Sequence, residues 1–141
     1  MSTKTLNPVP KHDRALIDTS VVIDLDIIDP DRLPNEFAMS AVTLAELAAG
    51  PLATDDLKQR VLRQDRLQRA ESTIMTISLD RDAARAYARV YAANLAAGRR
   101  SRIKFADDLI AATAIASNLA LYTRNAADFT YLDEILEVVE V

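Results

Sequence analysis

The chain has no cysteine, a single histidine and only two glycines. Without cysteine there can be neither disulfides nor thiolate metal sites, a composition that suits a reducing compartment. A structural zinc site is excluded on the same ground, since the lone His12 cannot supply one. His12 stands in a polar start, MSTKTLNPVPKH, where a solvated role is expected. No Ser-His-Asp arrangement with a usable histidine can be assembled, and GxxxxGK is missing, so the serine-hydrolase and P-loop classes fall away. Aromatic residues make up 5% of the chain, too sparse for a platform on which extended single strands of nucleic acid would stack. No apolar run is long enough to span a bilayer, and the start lacks the apolar stretch of a secretory signal. A cytoplasmic protein is expected. The net charge of -4 and pI near 5.0 argue against a general polyanion binder, so any hold on nucleic acid must come from local basic clusters.

What is present is the composition of a folded globular protein: 141 residues, 50% hydrophobic and 27% charged, enough for one core without staples. Residues 1-13 are expected to form a flexible amino-terminal segment and residues 14-141 a single domain. Short apolar runs alternate with longer amphipathic ones. Strands are expected at 15-17, at EFAMS (36-40), at IMTIS (74-78), at LALYT (119-123) and in ILEVVEV near the end. Between them, helices are expected over 20-25, over 43-49 with a stop at Gly50 and Pro51, over about 55-72, from a cap at Asp80 through Leu95 to Gly98, and over about 103-117. Strands separated by helices predict an α/β fold with a mostly parallel central sheet of about five strands.

In such a sheet, ligand chemistry gathers beyond the carboxyl ends of the strands. Asp18, in ALIDTSVVIDL, stands at one of these ends, as a helix cap or as a ligand. Thr43 and Glu46, in SAVTLAELAAG, have capping-box spacing, but Glu46 is set among apolar neighbours and needs water, a partner or a cation. Asp107 and Asp108 open the most apolar helix, KFADDLIAATA, and point about 100° apart, so one centre would use only one of them. Either can also complement the helix dipole. YTRNAADF leaves Arg124, Asn125 and Asp128 beyond another strand. Carboxylates converging on one crevice raise one another's pKa unless a cation is present. A hard ion such as Mg2+ or Mn2+, with its waters, suits hydrolysis of a phosphodiester. Arg99, Arg100, Arg102 and Lys104 lead directly into the helix of Asp107 and are candidates for phosphate contact. Arg60, Arg63, Arg66 and Arg69 form a stripe expected to be solvated. Tyr87, Val90, Tyr91 and Leu95, on the helix at 83-97, are expected to be core, with half of a self-association surface as the alternative.

LIDTSVVIDL, VTLAEL, the arginine-rich span through RLQRAE, ADDLIAATAIA and LYTRNAADF together resemble a PIN domain, and more closely a VapC-type toxin ribonuclease of a bacterial toxin-antitoxin pair. The resemblance covers nearly the whole chain after the first dozen residues, and it rests on order and spacing, since a lone DTS is weak. It implies a PIN-like three-layer fold and a ribonuclease whose Asp18, Glu46 and Asp107 coordinate Mg2+ or Mn2+. Many members have an acid where this chain has Asn125; an amide oxygen or water would substitute there, and Asp128 would contribute. The resemblance also implies an RNA substrate, a homodimer and a cognate antitoxin lying across the active groove as a toxin-antitoxin hetero-oligomer. A folded RNA read by shape fits the scarcity of aromatics. Two competitors remain: a protein-binding module with an unused acidic pocket, and a phosphatase or receiver-like domain. The last lacks support, because Ser20 stands where an aspartyl phosphatase wants a second acid and Arg124 where a receiver wants lysine.

Overall fold

Leu16 points to one side of the sheet while Ala15 and Ile17 point to the other, the period-two signature of a strand buried on both faces. The structure, a computed structural model, describes residues 11-99 and 104-141. Of the expected flexible segment, residues 1-10 lie outside the described residues, as do Arg100 and Arg102.

The strands are β1 (Arg14–Ile17), β2 (Glu36–Ser40), β3 (Met75–Ile77), β4 (Ala120–Thr123) and β5 (Val138–Glu140). They form a five-stranded sheet in the order β3-β2-β1-β4-β5, and every pairing is parallel. The helices are α1 (Thr19–Ile23), α2 (Ala41–Ala49), α3 (Leu57–Thr73), α4 (Arg81–Ala96) and α5 (Phe105–Ala116). One face of the sheet packs Ile17, Met39 and Tyr122 with Val21, Leu47 and Ala70 of α1, α2 and α3. The other packs Leu16, Ala38 and Leu121 with Val90 of α4 and Ile110 of α5. This is the expected three-layer α/β arrangement. Chain order runs outward from β1 through β2 to β3, then returns to the far side of β1 for β4, so β1 and β4 flank the point where the winding reverses.

Side-chain caps set most helix starts. Asp18, Ser40, Asp56 and Asp80 each accept a backbone N–H from the first turn of α1, α2, α3 and α4. The capping box expected at Thr43 and Glu46 does not form, because Ser40 starts the helix earlier and takes the N–H groups of Val42 and Thr43. Gly98 ends α4 with φ of 71°, the left-handed conformation that glycine reaches without strain. Gly50 does not. It keeps helical angles (φ −52°, ψ −49°), and the chain tightens into the 3-10 turn Gly50–Ala53.

The α3 stripe is only partly solvated. Arg63 Nη1 donates to Gly50 O at 3.0 Å, Arg60 Nε to Pro51 O at 3.2 Å and Arg60 Nη2 to Thr54 O at 3.0 Å, satisfying carbonyls that the end of α2 leaves open. His12 also departs from expectation: its backbone N–H donates to Tyr122 Oη at 3.1 Å, and its ring bridges that phenol and Glu137, each at 3.0 Å. On α4, Val90 is core, but Tyr91 and Leu95 are 43% and 61% exposed. Among the described residues no helix is long and apolar enough to cross a membrane.

Candidate functional site

Where β1 ends, Asp18 turns the chain into α1, and it is only 5% exposed. Its N–H donates to Tyr122 O of β4 at 3.0 Å, so the carboxylate is fixed at the reversal point between β1 and β4. Burial pushes its pKa up. Hydrogen bonds from the Ser20 and Thr123 hydroxyls and from the backbone of Val21 and Ser20 pull the other way. Ser20 Oγ donates to Asp18 Oδ1 at 2.5 Å and accepts the Arg124 N–H at 3.1 Å, tying the exits of both strands. Capping and a role in the site are therefore not alternatives for Asp18, since one carboxylate oxygen takes the cap bonds.

Glu46 lies on the exposed side of α2, one turn beyond Thr43. Thr19 Oγ1 donates to Glu46 Oε1 at 2.6 Å and lies 3.1 Å from the hydroxyl of the buried Thr43. The side chain is thus held towards the residue that follows Asp18.

Asp107 occupies the first turn of α5, half-buried. Burial is the main cause that pushes its carboxyl up to about 6, followed by the charge of Asp18. Glu46 and Asp128 push in the same direction, and Lys104 opposes them. The fold has brought Asp18, Glu46 and Asp128, from three other elements, near enough for their charges to act on Asp107. Lys104 Nζ pairs with Asp128 Oδ2 at 2.8 Å. Arg99 Nη1 donates to Asp128 O at 3.4 Å, and its guanidinium lies 3.7 Å from the centre of the Tyr131 ring. Asn125 begins the 3-10 segment Ala126–Leu132 just beyond β4; Thr123 holds its N–H at 3.1 Å, and its side chain makes no cap bond.

Asp108 is turned away from this group. It is 1% exposed and accepts hydrogen bonds from Asn94 Nδ2 at 2.9 Å and from the Tyr131 hydroxyl. Burial first, then that bond, push the Tyr131 phenol well above its ordinary pKa, so it stays a donor.

All donors here are oxygens, and their mutual repulsion at Asp107 is the kind that a hard divalent cation relieves. Among the described residues no three His, Asp or Glu side chains are gathered closely enough to form a finished cation cage. The sequence assigns no orienting role to Thr19, Ser20 or Thr123, the groups that hold the carboxylates. Their signal was a hydroxyl residue at each strand exit, IDTS and LYTRN.

A family model described as PIN domain matches residues 15–135. Ribonuclease VapC5 of Mycobacterium tuberculosis is 38% identical over 125 residues, covering 84% of this chain and 87% of that protein. VapC ribonuclease Y4jK of Sinorhizobium fredii is 32% identical over 126 residues, covering 81% and 89%. Among solved structures, VapBC-5 from Mycobacterium tuberculosis, a member of the VapBC family of toxin-antitoxin systems, is similar with a TM-score of 0.81 and 34% identity, over 92% of this chain and 99% of that one.

Proposed function

This chain belongs to the PIN-domain family and within it to the VapC-type ribonucleases, and from that premise we propose that it is a Mg2+- or Mn2+-dependent endoribonuclease acting on a structured RNA as the toxin of a toxin-antitoxin pair. The observation that carries the reading is the field at Asp107: a half-buried acid held near pKa 6 by burial and by three other acids, an arrangement that a divalent cation makes favourable.

In this reading Asp18, Glu46 and Asp107 hold the ion. When bound, it supplies Lewis acidity that polarises the scissile phosphate and eases removal of a proton from the attacking water. The other roles belong to the chain. Ser20 and Thr123 fix the Asp18 carboxylate by donating to it, and Thr19 does the same for Glu46. Asp128 and Asn125 tune the mouth of the site, with Asp128 holding Lys104 in place. Lys104 and Arg99 meet backbone phosphates, giving an acidic protein the local attraction it needs. Arg100 and Arg102 extend this basic stretch in the sequence. A cognate antitoxin covering the groove accounts for a cell's tolerance of the enzyme, and the exposed Tyr91, Leu95 and Phe105 support a homodimer.

The test is cleavage of a mixed RNA pool by antitoxin-free protein with Mg2+ or Mn2+. Discrete cuts are expected, abolished by EDTA and by Asp18→Asn. Equal cutting by Asp18→Asn would sink the catalytic assignment. Folded protein that binds a partner but leaves all RNA intact would return the chain to the protein-binding reading.

A further inference from the structure

A buried carboxylate without a cationic partner is costly, and Asp108 is such a group. It is the most enclosed acid among the described residues, and none of their ion pairs includes it. Both of its partners are neutral donors, Asn94 and Tyr131. Each of these also holds Arg99. The carbonyl of Asn94, itself 1% exposed, accepts the Arg99 N–H at 2.9 Å, while the Tyr131 ring carries the Arg99 guanidinium at 3.7 Å. The four residues close a ring: Asp108 to Asn94, Asn94 to the Arg99 backbone, the Arg99 side chain to Tyr131, and Tyr131 back to Asp108.

We propose that Asp108 is a positioning residue that fixes the side chain of Arg99 through Tyr131, so that an RNA phosphate meets a guanidinium already oriented beside Asp128. This rests on the ribonuclease reading for its substrate, but the ring itself is a property of the fold. The guanidinium has five N–H donors, and among the described residues only one bond engages them, that from Nη1 to Asp128 O. The others remain for a phosphate. A cavity of about 420 Å³ opens beside them, lined by Arg99, Asp128, Thr130 and Tyr131 among others. A long arginine side chain in water loses rotamer freedom when it binds; here that freedom is reduced in advance by the aromatic face of Tyr131 and the bond to Asp128 O.

The experiment has two arms. In the first, NMR of the full chain reads the ring-current shift that Tyr131 imposes on the Arg99 side-chain resonances. Asp108→Leu is expected to erase that shift, and Asp108→Asn, which keeps an acceptor for the Tyr131 hydroxyl, to preserve it. In the second, KM and kcat for RNA are measured across a salt series. Losing one charge-assisted phosphate contact should raise KM about tenfold and lower the salt slope by roughly one phosphate's share, with kcat nearly unchanged. Asp108→Leu should match Arg99→Gln, and the double variant should be no worse than either. Should Asp108→Leu not fold, Tyr131→Phe removes only the hydroxyl and should shift KM in the same direction. An Arg99 resonance unmoved by Asp108→Leu, or KM losses that multiply in the double variant, would overturn the proposal. Wild-type protein that cuts no RNA would remove the ribonuclease reading, and the resonance arm would then decide the positioning role alone.

Discussion

Asp107 holds its proton up to about pH 6 in the folded chain, against a usual value of 3.8. Between those values the folded state binds more protons than the unfolded one. Stability of the metal-free protein therefore falls as pH rises through that window, and the penalty is fully present above it. Asp107→Asn should relieve the penalty at pH 8 by about 1 kcal/mol, once solvent screening of a half-exposed group is allowed for. In thermal unfolding with EDTA this is a Tm gain of roughly 4 °C, shrinking towards zero near pH 4, while metal-dependent cleavage is lost. A gain that persists unchanged at pH 4 would show that packing, not charge, sets the effect. The sequence made Asp107 and Asp108 alternatives, because adjacent helical positions diverge, but spacing could not say which one faced the other acids. That depended on Asn94 and Tyr131, which arrive from α4 and from the segment after β4 and bind Asp108. Contacts between distant elements leave no periodic trace in the sequence.

Elements were far more legible than contacts. Short apolar runs located the strands, EFAMS to the residue, and turn chemistry located most helix ends. The two glycines show where such reading succeeds and where it stops. Both follow a helix, and the sequence treats both as stops, but only Gly98 adopts a positive φ. Gly98→Ala should destabilise the protein by about 1 kcal/mol, the cost of placing a Cβ in the left-handed region. Gly50→Ala should stabilise it by roughly 0.5 kcal/mol, since the helical backbone there accepts a side chain and the new Cβ meets Arg63 carbons at ordinary distances of 3.7 and 3.8 Å. Chemical denaturation of the two variants reads this difference in sign. The capping box failed as an expectation for a related reason: Ser40, three residues before Thr43, is an equally good cap, and the end of β2 decides which is used. The arginine stripe of α3 likewise hides the carbonyls it binds, because the turn after α2 is invisible to helix periodicity.

For the molecule as a whole, α4 and the start of α5 leave Tyr91, Leu95 and Phe105 43%, 61% and 50% exposed. Phe105 and Tyr87 pack nearly perpendicular, with ring centres 5.5 Å apart, so the patch is already ordered within one chain. A homodimer through this face is expected to dissociate in Leu95→Glu, which buries a charge at the contact. Light scattering should then report one chain's mass, with an unchanged circular dichroism spectrum. A dimer that survives the substitution would place the interface elsewhere.

The pairing of β1 with β4 also has a consequence in time. Ala15 lies in register with Ala120 and Ile17 with Tyr122, so the strand that delivers Asp18 pairs early with β2 but gains its second neighbour only after more than a hundred residues have followed it. During synthesis from the amino end, Asp18 emerges early, yet Thr123, which helps hold its carboxylate, is made in the last part of the chain. A ribosome translating this protein would therefore carry the proposed site unassembled until translation is nearly finished, and the order of the strands delays its completion.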